Sequence, residues 1–320
     1  MIDKPLVTII IPCYNHARYI SKCISSALMQ TYKNIELIVV DNGSIDESYS
    51  KIFEYSQVEG FKFICLKNNI PPGVVNGPIS IALKEASGEF ISILYSDDWY
   101  MPDKIEKQVE LFQHSPTSVG LVYCHGYRYL ESTGVMNEWM MGSKRGYVFI
   151  DYLKEGDLVI PISPLIKKYC YDIIGINNVW TGSEYDYFVM SQFVDFDFVN
   201  EHLVVMRDHD SNDAKDVLSV YNRVCSYHAD FFSNKSTIYR AGKYSSLRQA
   251  KDYLLFARDF AEIGDRKFAR IAFYRALSIW PLFILSFRGS IMVIYLLFPD
   301  WAFFKIMNLS RNIRSMLMKL

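Results

Sequence analysis

Over its first ~125 residues this chain alternates short apolar, β-branched runs with segments whose apolar residues recur at helical spacing, which leaves few folds open. Val7 to Ile11 is a continuous apolar run closed by Pro12 and reads as a strand buried on both faces. Ile20, Cys23, Ile24, Ala27 and Leu28 then recur with a helical period. Ile35 to Val40 is a second buried strand, ending in Asp41. Ser44 and Glu47 have capping-box spacing and start a helix running through Ile52 and Phe53. Phe61 to Leu66, Phe90 to Leu94 and Val119 to Tyr123 supply three more strands. Between them, Ile79, Leu83 and Ala86 form one helical stripe that Gly88 ends, and Ile105, Val109 and Phe112 form another that opens near Pro102. The pattern predicts an α/β fold with a doubly wound, mostly parallel, Rossmann-like sheet. In such sheets ligands bind beyond the carboxyl ends of the strands.

Three of those ends are polar: Tyr14-Asn15, Asp41-Asn42 and Ser96-Asp97-Asp98. Two carboxylates directly after a buried strand can hold a hard divalent cation over a bound phosphate. The run Ile93 to Trp99 therefore predicts a metal–diphosphate site, and with it chemistry on a sugar nucleotide. Asp41 can accept a hydrogen bond from a base or ribose, or can serve the turn that Asp-Asn-Gly-Ser encodes by itself. Tyr14 can stack on a base or pack as a buried aromatic. Ser96 to Asp98 can alternatively cap the helix near Pro102.

Past Gly126 the pattern weakens into short strands and turns until a second polar cluster, Trp180 to Phe188. Within it, Glu184 and Asp186 are the candidates for a catalytic base, and either can instead flank a helix amino terminus. A short apolar segment at Phe196 to Val199, a strand at Leu203 to Met206 and Arg207-Asp208-His209 follow. His209 offers a neutral ring nitrogen as a further metal ligand. Beyond Asp213 the chain reads as helical, with Ala250, Tyr253, Leu254, Ala257 and Phe260 on one face and Ala269, Ala272, Phe273 and Ala276 on another. The expected division is a catalytic domain over residues 1–212 and a helical carboxy-terminal region over 213–320. The first splits into a nucleotide-sugar half, about 1–125, and an acceptor half, about 126–212.

Composition excludes several classes. The 320 residues carry a formal net charge of -1, so no basic excess points to nucleic acid. The six cysteines include no Cys-x-x-Cys pair, and several sit in apolar runs, as small core residues of a reducing compartment do. Met-Ile-Asp-Lys-Pro lacks the basic and apolar regions of a secretion signal, so a cytoplasmic location is expected. Trp280 to Phe304 is apolar but interrupted by Arg288, Gly289, Pro299 and Asp300, and Lys305, Arg311, Arg314 and Lys319 follow. That tail suits either an interfacial helix on the anionic cytoplasmic membrane face or a helical cap on the body. Neither Gly-x-Gly-x-x-Gly nor a P-loop follows the first strand, which argues against a dinucleotide oxidoreductase. The turn Pro12 to Arg18 is also not the Gly-rich, basic loop of a nucleotidyltransferase.

Four ordered motifs carry a family resemblance: Val7-Thr-Ile-Ile-Ile-Pro-Cys-Tyr-Asn15, Ile38-Val-Val-Asp-Asn-Gly-Ser-Ile-Asp46, Ala86-Ser-Gly-Glu-Phe-Ile91 and Leu94-Tyr-Ser-Asp-Asp-Trp99. With them, the chain from about Pro5 to Asn212 resembles a family 2 glycosyltransferase of the GT-A fold, the bacterial surface-polysaccharide type. Gly182-Ser-Glu184-Tyr-Asp186 is similar to the family's Glu-Asp-x-Asp segment, and Arg207-Asp-His209 to its Arg-x-His. The resemblance implies an inverting, metal-dependent hexosyltransferase using Mg²⁺ or Mn²⁺. Its donor would be a nucleoside diphosphate sugar, most often UDP-linked, and its acceptor a hydroxyl on a glycan or lipid-linked molecule. Pro12, Tyr14, Asn15, Asp41, Ser96 and Asp97 would bind the donor. Asp97, Asp98 and His209 would hold the metal, and Glu184, with Asp186, would receive the acceptor proton. Tyr95 stands where the family commonly has Asp, Asn42 where a second Asp is frequent, Ser80 in place of Asn, and Glu184 in place of Asp. A catalytically degenerate sugar-nucleotide binder or membrane assembly subunit is the non-enzyme alternative.

Overall fold

The computed structural model describes residues 4–179 and 184–282, the side chain of Glu184 excepted. The chain divides into two compact units, Met1–Asn212 and Asp213–Leu320. In the first unit the strands are β1 (Val7–Cys13), β2 (Ile35–Asp41), β3 (Phe61–Cys65), β4 (Phe90–Ile93), β5 (Trp99–Tyr100), β6 (Val119–Leu130), β7 (Val135–Trp139), β8 (Leu165–Lys167) and β9 (Asp195–Asp208). They form one sheet in the order β3-β2-β1-β4-β8-β6-β9-β5, with β7 on the far end of β6. Strands β1 to β4 are mutually parallel, as the buried apolar runs require. Helices α1 (Ile20–Leu28), α2 (Ser48–Phe53), α3 (Pro78–Glu85) and α4 (Lys104–His114) alternate with them. Their apolar faces are buried through Ile20, Cys23, Ile24 and Ala27, through Ile79 and Leu83, and through Ile105, Val109 and Phe112. The fold is the doubly wound α/β sheet that the alternation implies.

The structure departs from the sequence pattern in five places. The parallel ladder stops at β4: the three-residue β8 inserts antiparallel between β4 and β6. The expected strand at Val119–Tyr123 runs on to Leu130 and pairs in parallel with β9, not with β4. The segments around Phe196 and Leu203 form one strand of 14 residues, made continuous by register shifts at His125 rather than by a loop. The capping box at Ser44 does not form. Helix α2 begins at Ser48 with Glu47 in the cap position and no side-chain cap hydrogen bond, and Ser44 Oγ accepts the Asn15 N–H at 2.9 Å instead. A long-range partner outcompeted the local one. The helix after Pro102 starts at Lys104 with Asp103 at its cap position, so Ser96 to Asp98 do not cap it.

Helices α5 (Phe149–Glu155), α6 (Tyr169–Ile174) and α7 (Glu184–Met190) complete the first unit. The second contains α8 (Val217–Phe231), α9 (Lys235–Ala241), α10 (Tyr244–Glu262) and α11 (Arg266–Ile279). There Ala250, Tyr253, Leu254, Ala257 and Phe260 pack with Ala269, Ala272, Phe273 and Ala276 in one core. Among the described residues no helix is long and apolar enough to cross a membrane. The apolar tail from Phe283 onward lies outside the described residues.

One buried cation stands out in the sheet's core. Lys104 is fully buried, donates to Ser92 Oγ at 2.9 Å and lies 4.2 Å from the centroid of the Tyr100 ring. Burial pushes its ammonium down to about 7, against an unfolded value near ~10.4. Below pH 7 both folded and unfolded states carry the charge, and its desolvation opposes folding in full. As pH rises from 7 towards ~10 the folded state sheds the proton first, so stability increases. Lys104→Met keeps the stem and removes the charge. The variant is expected to unfold at higher urea than the parent at pH 6, with the difference shrinking by pH 9. An equal loss of stability at both pH values would show that the ammonium's contacts outweigh its burial.

Candidate active site

The site gathers at the carboxyl ends of β1, β2 and β4, where the ladder of Ile10 with Ile93 and of Cys13 with Asp41 brings three turns to one edge. Pro12 lies past the last residue paired with β4, so the bond its nitrogen lacks is not missed on that side. Tyr14 is 39% exposed at this edge, which excludes the buried-aromatic reading. Asn15 adopts a left-handed φ of 53°, a conformation that Asn tolerates better than most residues. Its side-chain oxygen accepts the Ile45 N–H at 2.9 Å. Two further backbone donors of this turn, His16 and Ala17, reach Ser48 Oγ at 2.9 Å and Asp46 Oδ2 at 3.0 Å. The turn after β1 is thereby fastened to the loop after β2.

Asp41 is buried to 1% exposure and accepts the Ser44 N–H at 3.2 Å, so it does serve its turn. Asn42 explains its own departure from Asp. Its amide nitrogen donates to Asn69 Oδ1 at 2.8 Å and to the Ile70 carbonyl at 2.9 Å, while its oxygen accepts from the Ile70 N–H at 3.0 Å. A carboxylate there would face two acceptors with nothing to donate. Gly43, at φ 74°, lets this loop come close: a Cβ would sit 2.7 Å from the Asn68 carbonyl carbon.

The two adjacent carboxylates point different ways. Asp98 is 2% exposed and accepts the Arg207 backbone N–H at 2.8 Å, and its other oxygen has no hydrogen-bond partner among the described residues. Burial, then the neighbouring Asp97 charge, push its carboxyl well above the usual range. Asp97 turns towards the end of β9: its Oδ2 lies 3.0 Å from His209 Nε2 and accepts from Asn212 Nδ2 at 3.2 Å. One ligand atom each from His16, Asp97 and His209 lie within 4.8 Å of one another. Of the residues the sequence singles out for a metal, the structure brings Asp97 and His209 together and leaves Asp98 facing the Arg207 main chain.

Arg207 ties the arrangement to the rest of the unit. Its Nε donates to the Asp97 carbonyl at 3.0 Å, and its Nη1 to Glu131 Oε1 at 3.0 Å. The guanidinium carbon lies 4.7 Å from the Tyr19 ring centroid and 5.1 Å from that of Trp99. Tyr19 in turn donates to Glu131 Oε2 at 3.0 Å. Sequence reasoning missed His16, Tyr19, Glu131 and Asn212. Only His16 left a local signal, as a histidine two residues past Tyr14 in a turn already marked by its position.

Asp186 is buried on α7, 1% exposed. Glu184 opens that helix, and its side chain lies outside the described residues, as do Trp180 to Ser183. Ser96 is buried and meets His16 Nδ1 at 2.7 Å.

Residues 8–174 match the family model of Glycosyl transferase family 2. A stretch of 130 residues is 39% identical to the uncharacterized glycosyltransferase RP339 of Rickettsia prowazekii, covering 41% of this chain and 39% of that protein. Another, of 108 residues, is 40% identical to WfaP of Escherichia coli, a UDP-Glc:alpha-D-GlcNAc-diphosphoundecaprenol beta-1,3-glucosyltransferase, covering 34% of this chain and 41% of the relative. The matched stretches thus span well under half the length of these relatives. Among solved structures, S. aureus TarS 1-349 in complex with UDP-GlcNAc superposes with a TM-score of 0.58 at 12% identity, over 89% of this chain and 92% of that one. The mannosyltransferase PcManGT from Pyrobaculum calidifontis, in complex with GDP-Man and Mn2+, gives 0.58 at 16% identity over 92% and 86%. Those two likenesses are of fold, the GT-A fold. The family model covers more than half of the chain, and the strand-end turns that converge here lie within the matched residues: the chain belongs to glycosyl transferase family 2.

Proposed function

We propose that the chain is an inverting transferase that moves a sugar from a nucleoside diphosphate sugar, UDP-linked, to a hydroxyl of a glycan or lipid-linked acceptor in surface-polysaccharide synthesis. One observation carries this reading: Asp97 and His209, 112 positions apart in sequence, meet at 3.0 Å beside the turns after β1 and β2. The names of relatives support the donor and acceptor classes, since WfaP takes UDP-Glc and a diphosphoundecaprenol acceptor and TarS was solved with UDP-GlcNAc. A lipid-linked acceptor also favours work at the cytoplasmic membrane face.

The donor set fits a divalent ion. A carboxylate and an imidazole within hydrogen-bond distance, with the ring's other nitrogen held by Ser211 Oγ at 2.9 Å, are the groups and the outer support that such an ion requires. PcManGT, of the same fold, was solved with Mn2+. Asp97 and His209 would hold it, and when bound it would offset the charge that develops on the leaving diphosphate. Asp98, buried against Arg207, instead fixes the turn that aims Asp97. Tyr14, exposed at this edge, is read as stacking on the nucleoside, and Asp41, buried and already accepting the Ser44 N–H, as accepting a hydrogen bond from it through its other oxygen. Glu184 is read as the base that takes the acceptor's proton as its oxygen attacks the anomeric carbon from the face opposite the diphosphate. A single carboxylate base suffices for that displacement, and the result is inversion.

Two variants separate binding from turnover. Asp97→Ala is expected to weaken Mn²⁺-dependent binding of UDP by roughly a hundredfold or more in calorimetry. Undiminished affinity would remove the ion from Asp97. Glu184→Gln is expected to lower transfer or donor hydrolysis by ~10²–10⁴-fold with UDP affinity unchanged. Wild-type protein that binds UDP-sugars yet turns none over, across a broad acceptor panel, would make the chain a binder.

A further inference from the structure

Asp97 and His209 have a third companion. His16 comes from the turn after β1, and its ring meets that of His209 nearly at right angles, at 82° with centroids 5.9 Å apart. Its place is set by the backbone: the left-handed Asn15 precedes it, and its own N–H is anchored on Ser48 Oγ. A ligand atom of each of the three side chains lies within 4.8 Å of the others. Two ligands on one ion at ~2.1 Å each are at most ~4.2 Å apart. Only one pair of three ligands can be trans and a cis pair stands ~3.0 Å apart, so side-chain movements of roughly 1–2 Å would close the set.

A second observation separates His16 from a space-filling histidine. Both imidazoles have Nδ1 engaged by a serine hydroxyl, His16 by Ser96 at 2.7 Å and His209 by Ser211 at 2.9 Å. A hydroxyl that accepts from Nδ1–H leaves the lone pair on Nε2, the arrangement in which histidines commonly bind metals. For His209 that nitrogen already faces Asp97 Oδ2. The two rings are thus prepared alike.

We infer that His16 is the third protein ligand of this site, giving a two-histidine, one-carboxylate donor set that takes Mn²⁺ or Co²⁺ in preference to Mg²⁺ and loads before the nucleotide. The inference rests on the assignment of an ion to Asp97 and His209 above. Mg²⁺ dehydrates reluctantly and is usually held by one or two carboxylates plus substrate phosphates. Imidazole nitrogens shift the balance towards first-row transition ions. Three protein ligands also remove the need for a phosphate to complete the site. Up to three positions of an octahedral ion stay open, enough for two diphosphate oxygens and a water.

The test uses the full chain without nucleotide. Mn²⁺ is titrated in, with the free ion followed by its electron paramagnetic resonance signal, and spin-echo modulation then counts the coordinated imidazole nitrogens. Mn²⁺ is expected to bind without UDP, to resist displacement by at least a tenfold excess of Mg²⁺, and to show two nitrogens. In His16→Gln one nitrogen should remain and Mn²⁺ affinity should fall by about tenfold or more. A single nitrogen in the wild-type protein overturns the inference and leaves the Asp97–His209 reading intact, and it needs no variant to fold. Unchanged affinity in His16→Gln, with binding lost in His209→Gln, does the same. No Mn²⁺ binding with or without UDP overturns both.

Discussion

The antiparallel pairing of Trp99 with Val205 and of Tyr100 with Val204 is the contact on which the site depends. It joins a two-residue strand that starts directly after Asp98 to the far end of a 14-residue strand. Two ladder pairs are too few to stand alone. They are held by what surrounds them: the Met101 N–H donates to the Leu203 carbonyl at 2.9 Å, Trp99 meets Tyr129 edge-on at 5.5 Å, and Lys22 lies 3.3 Å from the Trp99 ring centroid. Without that register Arg207 would not reach the Asp97 carbonyl, and His209 would not face the Asp97 carboxylate.

The pairing also divides the work of two adjacent acids. Asp98 is drawn inward to the Arg207 N–H, and its burial disfavours its charge. Asp97 is left with its carboxylate towards His209 and Asn212. A buried carboxyl is a poor ion ligand when its reachable oxygen already accepts a backbone hydrogen bond, but it is a firm anchor for a turn. The strain of burying one acid thus serves the orientation of the other. The network running from Glu131 through Tyr19 and Arg207 extends that support to the β6–β7 hairpin.

Much of the first unit is legible in its sequence, for a local reason: strands β1, β2 and β4 are apolar because both faces are covered, and helices α1, α3 and α4 carry their buried face at a fixed period. The same holds for the strand-end positions of Asp41 and Asp97. What the pattern does not carry is long-range. Nothing in Leu165–Lys167, three residues, announces a strand that separates β4 from β6. Nor does any local signal say that Asp98 will turn inward while Asp97 turns out, because that choice is made by an arginine more than a hundred residues away. Ser44 shows the reverse failure: a sound local capping signal gave way to the backbone of Asn15. His16 lay in a turn marked for its neighbours, and only the fold places it beside His209.

The central claim is that an ion sits where the ends of β1, β4 and β9 meet, on Asp97 rather than Asp98. The most direct measurement is anomalous diffraction at the manganese edge from crystals grown with Mn²⁺ and UDP. The account predicts a single strong peak about 2–2.5 Å from the Asp97 carboxylate and from His209 Nε2. A peak on the Asp98 carboxylate, with His209 turned away, would contradict it.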